Sequence, residues 1–426
     1  MPSVMMMAVE LLMASTFVDS YTGKVLLVSM DGFRWDYVNK ISGLTNFSKM
    51  AASGVTVDYV NNTFVTKTFP CHYSIMTGLF EESHGIVGNT MYDPEHNATF
   101  GKNSIESFWF DGGEPLWVTT IKQNKKAGVF FWPGSEAEIR GHRPTLYMKY
   151  NESIPFEHRI NTALGWFTEQ NMSFVAMYFN EPDTMSHKYG PDSQQVADKV
   201  REMDGVLGKI LDTMDAKNLS DSVNVIVVSD HGMTDSNLTT QMIDMWEVVN
   251  SSLVERVVDS GVVTAIIPAP GREQELVETL RNQSHVTVYR KDEIPDRFHY
   301  KNHPRIMPVI VLADEGWQFS ANVTTLRRTN MTADHGYSNE LTSMRAIFFA
   351  RGPDFKKGVK GTSIRLVDIY PLVCKLLNIQ PAPNNGSLDN TAMFLEDPVV
   401  TGRASLHLGN SLVALLIVTA MISLIS

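Results

Sequence analysis

Cysteine is scarce in this 426-residue chain, which has only Cys71 and Cys374. Two cysteines cannot form a disulfide framework, no bridge between them is expected, and their number says little about compartment. Basic residues are outnumbered, 36 Lys+Arg against 47 Asp+Glu, for a formal charge of −11. The basic footprint of non-specific nucleic-acid binding is therefore missing, and no nucleic-acid partner is expected. Internal repeats and low-complexity linkers are absent too. Disorder is excluded, because aromatic residues make up 10% and hydrophobic residues 43% of the chain. This length allows one large α/β domain or two small ones.

N-x-S/T sequons, by contrast, are plentiful. Acceptor asparagines stand at 46, 61, 97, 151, 171, 218, 237, 250, 282, 322, 330 and 385. Each alone is weak, but the excess favours a secreted, glycosylated surface. The two ends agree. Residues 4–13 form an apolar run that suits a secretory signal within 1–20, although it lacks a basic start and carries Glu10. Residues 412–426 are apolar, and no charge follows Arg403. Fifteen helical residues reach roughly 22 Å, short of the ~30 Å hydrocarbon core. Small residues at 402–405, a spacer and an apolar tail resemble a GPI-attachment signal, with a short single-pass anchor as the alternative. The expected location is the extracellular face of the plasma membrane, with the membrane reached through this 396–426 segment.

Between the ends, 24–30 (KVLLVSM), 173–179 (SFVAMYF) and 223–229 (VNVIVVS) are continuously apolar. That pattern suits strands buried on both faces of a mostly parallel sheet. Residues 193–217 place Val196, Val200, Met203, Leu207, Ile210 and Met214 at spacings of three and four, which predicts an amphipathic helix. Strands alternating with helices imply a doubly wound α/β fold over 23–395. Residues 240–330 read as an α+β insertion with three strands and a helix over 273–282.

Each long strand runs directly into metal-ligating chemistry. KVLLVSM ends at Asp31, SFVAMYF leads to Asp183 and His187, and VNVIVVS ends at Asp230-His231. Ligands of open α/β sheets bind beyond the carboxyl ends of the strands. One such Asp is ordinarily a helix cap; three events at one sheet edge are not explained that way. With His335, the inventory is three carboxylates and three imidazoles, which suits two zinc ions about 4 Å apart clamping a phosphoryl displacement. Thr68, in TKTFPCHY, stands at a strand-to-helix turn as a candidate hydroxyl nucleophile, with a helix N-cap as its plain alternative. Thr66 is expected to face the other way, and its loss to be mild.

VSMDGFRWDY, VTKTFPCHYSIMTGLFEESHGIVGNTMYDP, FFWPGS, YNESIPFEHRI, EPDTMSHKYGP, VSDHGM, DHGY and PAPNNGS resemble the ectonucleotide pyrophosphatase/phosphodiesterase family of the alkaline phosphatase superfamily. The resemblance covers about 23–395 and resembles the shorter members, without somatomedin-B-like or nuclease-like modules. It implies an alkaline phosphatase-like fold, with Thr68 as nucleophile. It assigns Asp183, His187 and His335 to one zinc, and Asp31, Asp230, His231 and the Thr68 oxygen to the other. Asn89 would donate to a phosphate oxygen, and Phe69 and Tyr150 would clamp a nucleobase. The implied activity is hydrolysis of nucleoside triphosphates, dinucleoside polyphosphates or related diesters to nucleoside 5′-monophosphates, with no obligate protein partner. The alternatives are a choline-phosphodiester or lysophospholipid phosphodiesterase using the same metals, and a non-catalytic surface glycoprotein. One departure stands out: the family has Asn where this chain has Cys71. A thiol cannot reproduce an amide's donors and acceptor, so Cys71 is expected either to weaken the nucleophile turn or to sit as an oxidisable neighbour of the zincs.

Overall fold

The computed structural model describes residues 19–397 and 399–400. Residues 1–18, holding most of the expected signal peptide, and 401–426, holding the expected anchor, lie outside the described residues. Among those described, no helix is long and apolar enough to cross a membrane. The unit spanning 22–396 carries all the chemistry. Outside it, Asp19–Ser20 pairs antiparallel with Val399–Val400.

Eight strands form the central sheet: β1 (Val25–Met30), β2 (Val55–Asn61), β3 (Ala127–Phe130), β4 (Leu146–Met148), β5 (Phe174–Phe179), β6 (Asn224–Val228), β11 (Phe348–Arg351) and β12 (Val359–Arg365). Their order is β12-β2-β11-β6-β1-β5-β3-β4. Neighbours are parallel except at β11, which runs antiparallel to both β2 and β6. Every residue of β1, β5 and β6 is buried, as the continuous apolar runs require of strands covered on both faces. The parallel α/β architecture expected from the sequence is therefore present.

Helices cover the sheet. On it pack α1 (Thr45–Ser53) and α3 (Phe156–Glu169), and α5 (Gln194–Ala216) packs on both of these helices, while α2 (Thr68–Thr77) packs with α7 (Ile369–Leu376). Ser193 caps α5, its Oγ accepting the Val196 N–H at 3.2 Å. From that helix Asp204 reaches across to accept the Asn46 and Phe47 N–H groups at 3.0 and 2.8 Å. It thus satisfies the orphan donors that begin α1.

Strands β7 (Val254–Asp259), β8 (Val263–Pro268), β9 (Val286–Arg290) and β10 (Val309–Ala313) form a separate antiparallel sheet in the order β7-β8-β10-β9. Helix α6 (Glu273–Arg281) seals it by burying Leu276, Val277 and Leu280 against Ile266, Val309 and Val311.

Register decides where the chemistry goes. Met30 lies opposite Phe179, and Ser29 opposite Val228. Chains leaving β1, β5 and β6 therefore emerge at one level of one edge.

Candidate active site

Asp31 follows β1 directly and donates its N–H to the Phe179 carbonyl at 2.9 Å, while its own carbonyl accepts the Asp183 N–H at 3.0 Å. Asp183 begins α4 (Asp183–Tyr189), so His187 lies one turn along the same helix face. Asp230 and His231 follow β6. His335 is delivered by a short antiparallel pairing of Thr234–Asp235 with Ala333–Asp334.

All three imidazoles are held in the same manner. His187 donates Nδ1–H to the Ala333 carbonyl at 2.9 Å, His231 to the Gly232 carbonyl at 2.9 Å, and His335 to the Thr66 carbonyl at 2.8 Å. Each therefore turns an unprotonated Nε2 towards the site, the arrangement that orients metal-binding histidines. His231 Nε2 stands 3.0 Å from Asp230 Oδ2 and 3.5 Å from Asp31 Oδ1. His187 and His335 Nε2 stand 3.4 and 3.7 Å from Asp183 Oδ1. His231 and His335 stack at 3.5 Å.

Burial and crowding define the electrostatics. Asp31 is held well above the usual carboxylate range, first by burial and then by the charges of Asp230 and Asp183. Burial also lifts Asp183, and the nearby histidines offset it only in part. Burial would lift Asp230 as well, but His231 and His72 together outweigh it and hold that group well below the usual range. Asp31 Oδ1, Asp183 Oδ1 and Asp230 Oδ2 are buried with no hydrogen bond. Orphaned carboxylate oxygens beside unprotonated imidazole nitrogens fit a divalent cation of zinc's preferences.

All six expected ligands fall into clusters whose donor atoms lie within 4.8 Å of one another: Asp183-His231-His335, His187-Asp334-His335 and Asp31-His72-Asp230. His335 belongs to two of these groups. Sequence reasoning missed His72 and Asp334, and both are braces. His72 is held between Ser29 Oγ and the Thr68 carbonyl, each at 2.8 Å, so neither nitrogen is free. Asp334 accepts the His335 N–H at 2.8 Å and Gln318 Nε2–H at 2.9 Å. Their signal was positional: His72 lies four residues after Thr68, and Asp334 immediately precedes His335. Tyr178 was missed as well; its hydroxyl donates to Asp31 Oδ2 at 2.5 Å.

Thr68 is the first residue of α2, and Lys67 occupies the cap position without a side-chain cap bond. The cap alternative for Thr68 is thus not what is found: its hydroxyl instead donates to His231 Nε2 at 3.4 Å. Asn89 Oδ1 accepts the Phe69 N–H at 2.9 Å, leaving its amide nitrogen for another partner. Phe69 packs edge-on against Phe100, and Tyr150, half exposed, against Phe131 with Tyr178 beyond. The two expected clamp rings share no ring contact among the described residues.

Two expectations need correction. Thr66 is fully buried, and its Oγ donates to the Tyr337 carbonyl at 2.9 Å while accepting the Gly336 N–H at 3.0 Å. It is a tie between the Thr68 segment and the His335 loop, not a bystander. Cys71 is buried and free, within 3.6 Å of the Val65 carbonyl and 3.7 Å of Thr63 Oγ. Burial first, then Glu81 and Asp230, push its thiol well up, so it is an inert brace rather than an oxidisable thiolate.

Comparison with known proteins agrees with this geometry. Residues 25–338 match the family model for type I phosphodiesterase / nucleotide pyrophosphatase. The bis(5'-adenosyl)-triphosphatase enpp4 of Xenopus laevis is 40% identical over 381 residues, 88% of this chain and 82% of that protein. Human ectonucleotide pyrophosphatase/phosphodiesterase family member 5 is 38% identical over 377 residues, 87% of this chain and 78% of that protein. Among solved structures, an inactive threonine-to-alanine variant of murine ectonucleotide pyrophosphatase/phosphodiesterase 5 in complex with AMP superposes with a TM-score of 0.84. It has 36% identity and covers 88% of this chain and 100% of that one.

Proposed function

The chain belongs to the type I phosphodiesterase / nucleotide pyrophosphatase family, and from that premise we propose that it is a cell-surface, two-zinc hydrolase releasing nucleoside 5′-monophosphates from nucleoside triphosphates, dinucleoside polyphosphates or related diesters. The observation carrying this reading is the Thr68 hydroxyl at a helix start, hydrogen-bonded to His231 Nε2, which in turn lies beside the partnerless buried oxygens of Asp31 and Asp230.

Asp183, His187 and His335 would hold one zinc and Asp31, Asp230 and His231 the other; bound there, the ions supply Lewis acidity that eases ionisation of the threonine hydroxyl and of water and neutralises phosphate charge. Thr68 Oγ attacks phosphorus, its P–O bond forming as the bond to the leaving oxygen breaks, and its proton passes to solvent. Water then cleaves the nucleotidyl-threonine, freeing the monophosphate and restoring the hydroxyl. The free amide nitrogen of Asn89 donates to a non-bridging phosphate oxygen. Phe69 and Tyr150 offer ring faces to the base, where stacking is worth roughly 1–3 kcal/mol and tolerates any base. The AMP-bound threonine variant of murine member 5 and the triphosphatase name of the Xenopus relative support this choice of nucleophile and product. Exposure of every sequon asparagine except Asn46 and Asn61 supports an extracellular surface.

Chromatography of products from ATP, diadenosine triphosphate and NAD tests the activity, with AMP expected from each and lost under chelation. Thr68→Ala should keep fold and zinc content yet lose orders of magnitude in turnover, while Thr68→Ser retains much more. Near wild-type turnover by Thr68→Ala would sink the nucleophile assignment.

A further inference from the structure

Arg159 is one of the largest fully buried side chains, and among the described residues none of its bonds goes to a carboxylate. It stands near the start of α3. Its guanidinium donates from Nε to the Ile154 carbonyl and from Nη2 to the Glu152 carbonyl, both at 3.0 Å, and from Nη1 to the Tyr178 carbonyl at 3.3 Å. The rings of Phe131, Phe156 and Phe179 surround it, with centres at 5.1, 4.8 and 5.9 Å. Desolvating a permanent cation is expensive; here main-chain oxygens and ring faces compensate it.

These contacts hold the chain around Tyr150. Residues 149–153 are exposed. The loop is fastened to the domain by the Tyr150 N–H, which donates to Glu136 Oε1 at 2.9 Å, and by the two carbonyls that Arg159 takes. Phe131 packs against Tyr150 with ring centres 5.3 Å apart and lies over the same guanidinium. A second observation marks the place as functional. Phe131 holds a φ of +63°, which bulky residues rarely adopt, and such strain persists where the surroundings fix it, characteristically at ligand clamps. The third carbonyl belongs to Tyr178, whose hydroxyl donates to Asp31. One side chain thus ties together the Tyr150 loop, the ring beside it and the strand that reaches the candidate metal ligands.

We propose that Arg159 is a positioning residue for nucleobase binding: it fixes the Tyr150 ring relative to the metal edge, so that affinity for the base depends on a side chain that touches neither base nor phosphate. The inference rests on the phosphodiesterase reading above. A planar fork of five donors serves three carbonyls at once, and the compact ammonium of lysine does not reproduce that geometry. Without the tie, the exposed loop would be ordered only as substrate binds, and the entropy of ordering it subtracts from the stacking energy. Chemistry at phosphorus should be spared, because Arg159 bonds to neither Thr68 nor any of the six candidate ligands.

The test compares two diesters with one leaving group on the full chain: the nitrophenyl ester of thymidine monophosphate, and methyl nitrophenyl phosphate, which has no base. Arg159→Met should raise KM for the thymidine ester about tenfold or more, the worth of one stacked base. Its kcat for that ester, and kcat/KM for the methyl ester, should stay within about twofold of wild type. Affinity for AMP should fall in parallel, while affinity for inorganic phosphate holds. Arg159→Lys, which keeps the buried charge, should show the same selective loss at smaller size. An equal loss on both esters, no loss on either, or failure of both variants to fold would overturn the proposal, because Arg159 would then be a general support of the fold or no support at all. Wild-type enzyme with equal kcat/KM for the two esters would instead remove the base clamp itself. Absence of turnover on both would overturn the phosphodiesterase reading beneath it.

Discussion

His335 donates its Nδ1–H to the carbonyl oxygen of Thr66 at 2.8 Å, so a candidate metal ligand is aimed by the segment that carries the candidate nucleophile. The same threonine binds the far side of that loop through its hydroxyl, which serves both the Tyr337 carbonyl and the Gly336 N–H. Candidate nucleophile and candidate ligand are thus positioned by one residue two places before Thr68.

Thr66→Ala should therefore be costly. It leaves a buried carbonyl and a buried N–H without partners, at about 1–3 kcal/mol for such a group, and it loosens His335. Chemical denaturation should show a loss of about 2 kcal/mol or more, and chelator competition a weaker zinc affinity. Thr66→Ser, which keeps the oxygen, should stay close to wild type in both. An alanine variant with unaltered stability and zinc affinity would show that water replaces the hydroxyl without loss.

Tyr178→Phe removes the hydroxyl that donates to Asp31 at 2.5 Å. The fold should survive, because the ring still fills its buried place. Asp31 loses the bond that orients it, and outer-shell losses of this kind lower metal affinity by about 10–100-fold. Zinc titration against a chelator reads this directly; affinity equal to wild type would mean that Asp31 is oriented by its backbone alone.

How much of this was legible in the sequence follows from where each signal is written. Asp31, Asp183 and Asp230-His231 could be read because each follows an unbroken apolar strand, and a parallel register brings such strand ends to one edge. Helix α5 was legible from spacing, with Ser193 in place to cap it. Tyr178 was not, since within SFVAMYF it reads as one more apolar residue, and its partner is 147 positions away. Thr66, His72 and Gln318 work through carbonyls and side chains brought together only by the fold, so no local spacing records them. The reversed direction of β11 was equally silent, because a short buried run such as FFAR has the same pattern either way round.

Metal removal exposes the tension within the site. Asp31 has its folded-state pKa raised by burial and by two neighbouring carboxylates. A carboxyl raised in this way contributes stability below its unfolded value, about pH 4, and loses that contribution as pH rises. At neutral pH the metal-free protein therefore carries an unfavourable charge, which a bound divalent cation would relieve. Chelation should lower the melting temperature and zinc should restore it in a concentration-dependent way. Asp31→Asn should bind zinc poorly yet melt several degrees higher than wild type when both are held in excess chelator. A variant less stable than wild type in chelator would show that the carboxylates are not crowded.

Acid stability should report on a group far from the metals. His84 is fully buried, with Nδ1 accepting the Ile86 N–H at 3.1 Å and Nε2 2.9 Å from Ser74 Oγ. Nδ1 can accept only when it carries no proton, so the neutral tautomer with Nε2–H donating to Ser74 is built into the fold. Protonation would set two N–H groups against each other in a buried site. Burial first, then the nearby His303 and Arg305, bring its pKa down to about 3. The unfolded chain binds that proton near pH 6.5, so between about pH 6.5 and 3 the unfolded state holds one more proton than the folded state. Stability must then fall with acidification, by about 1.4 kcal/mol per pH unit from this residue once pH is well below 6.5. His84→Gln should be less stable at neutral pH, having lost the fit to Ser74 and Ile86, but its stability should decline less steeply between pH 6.5 and 5. Denaturant unfolding at several pH values in that window gives both slopes, and the difference between them isolates His84 from every other titrating group. Identical slopes would mean that the fold opens far enough to let His84 take up its proton.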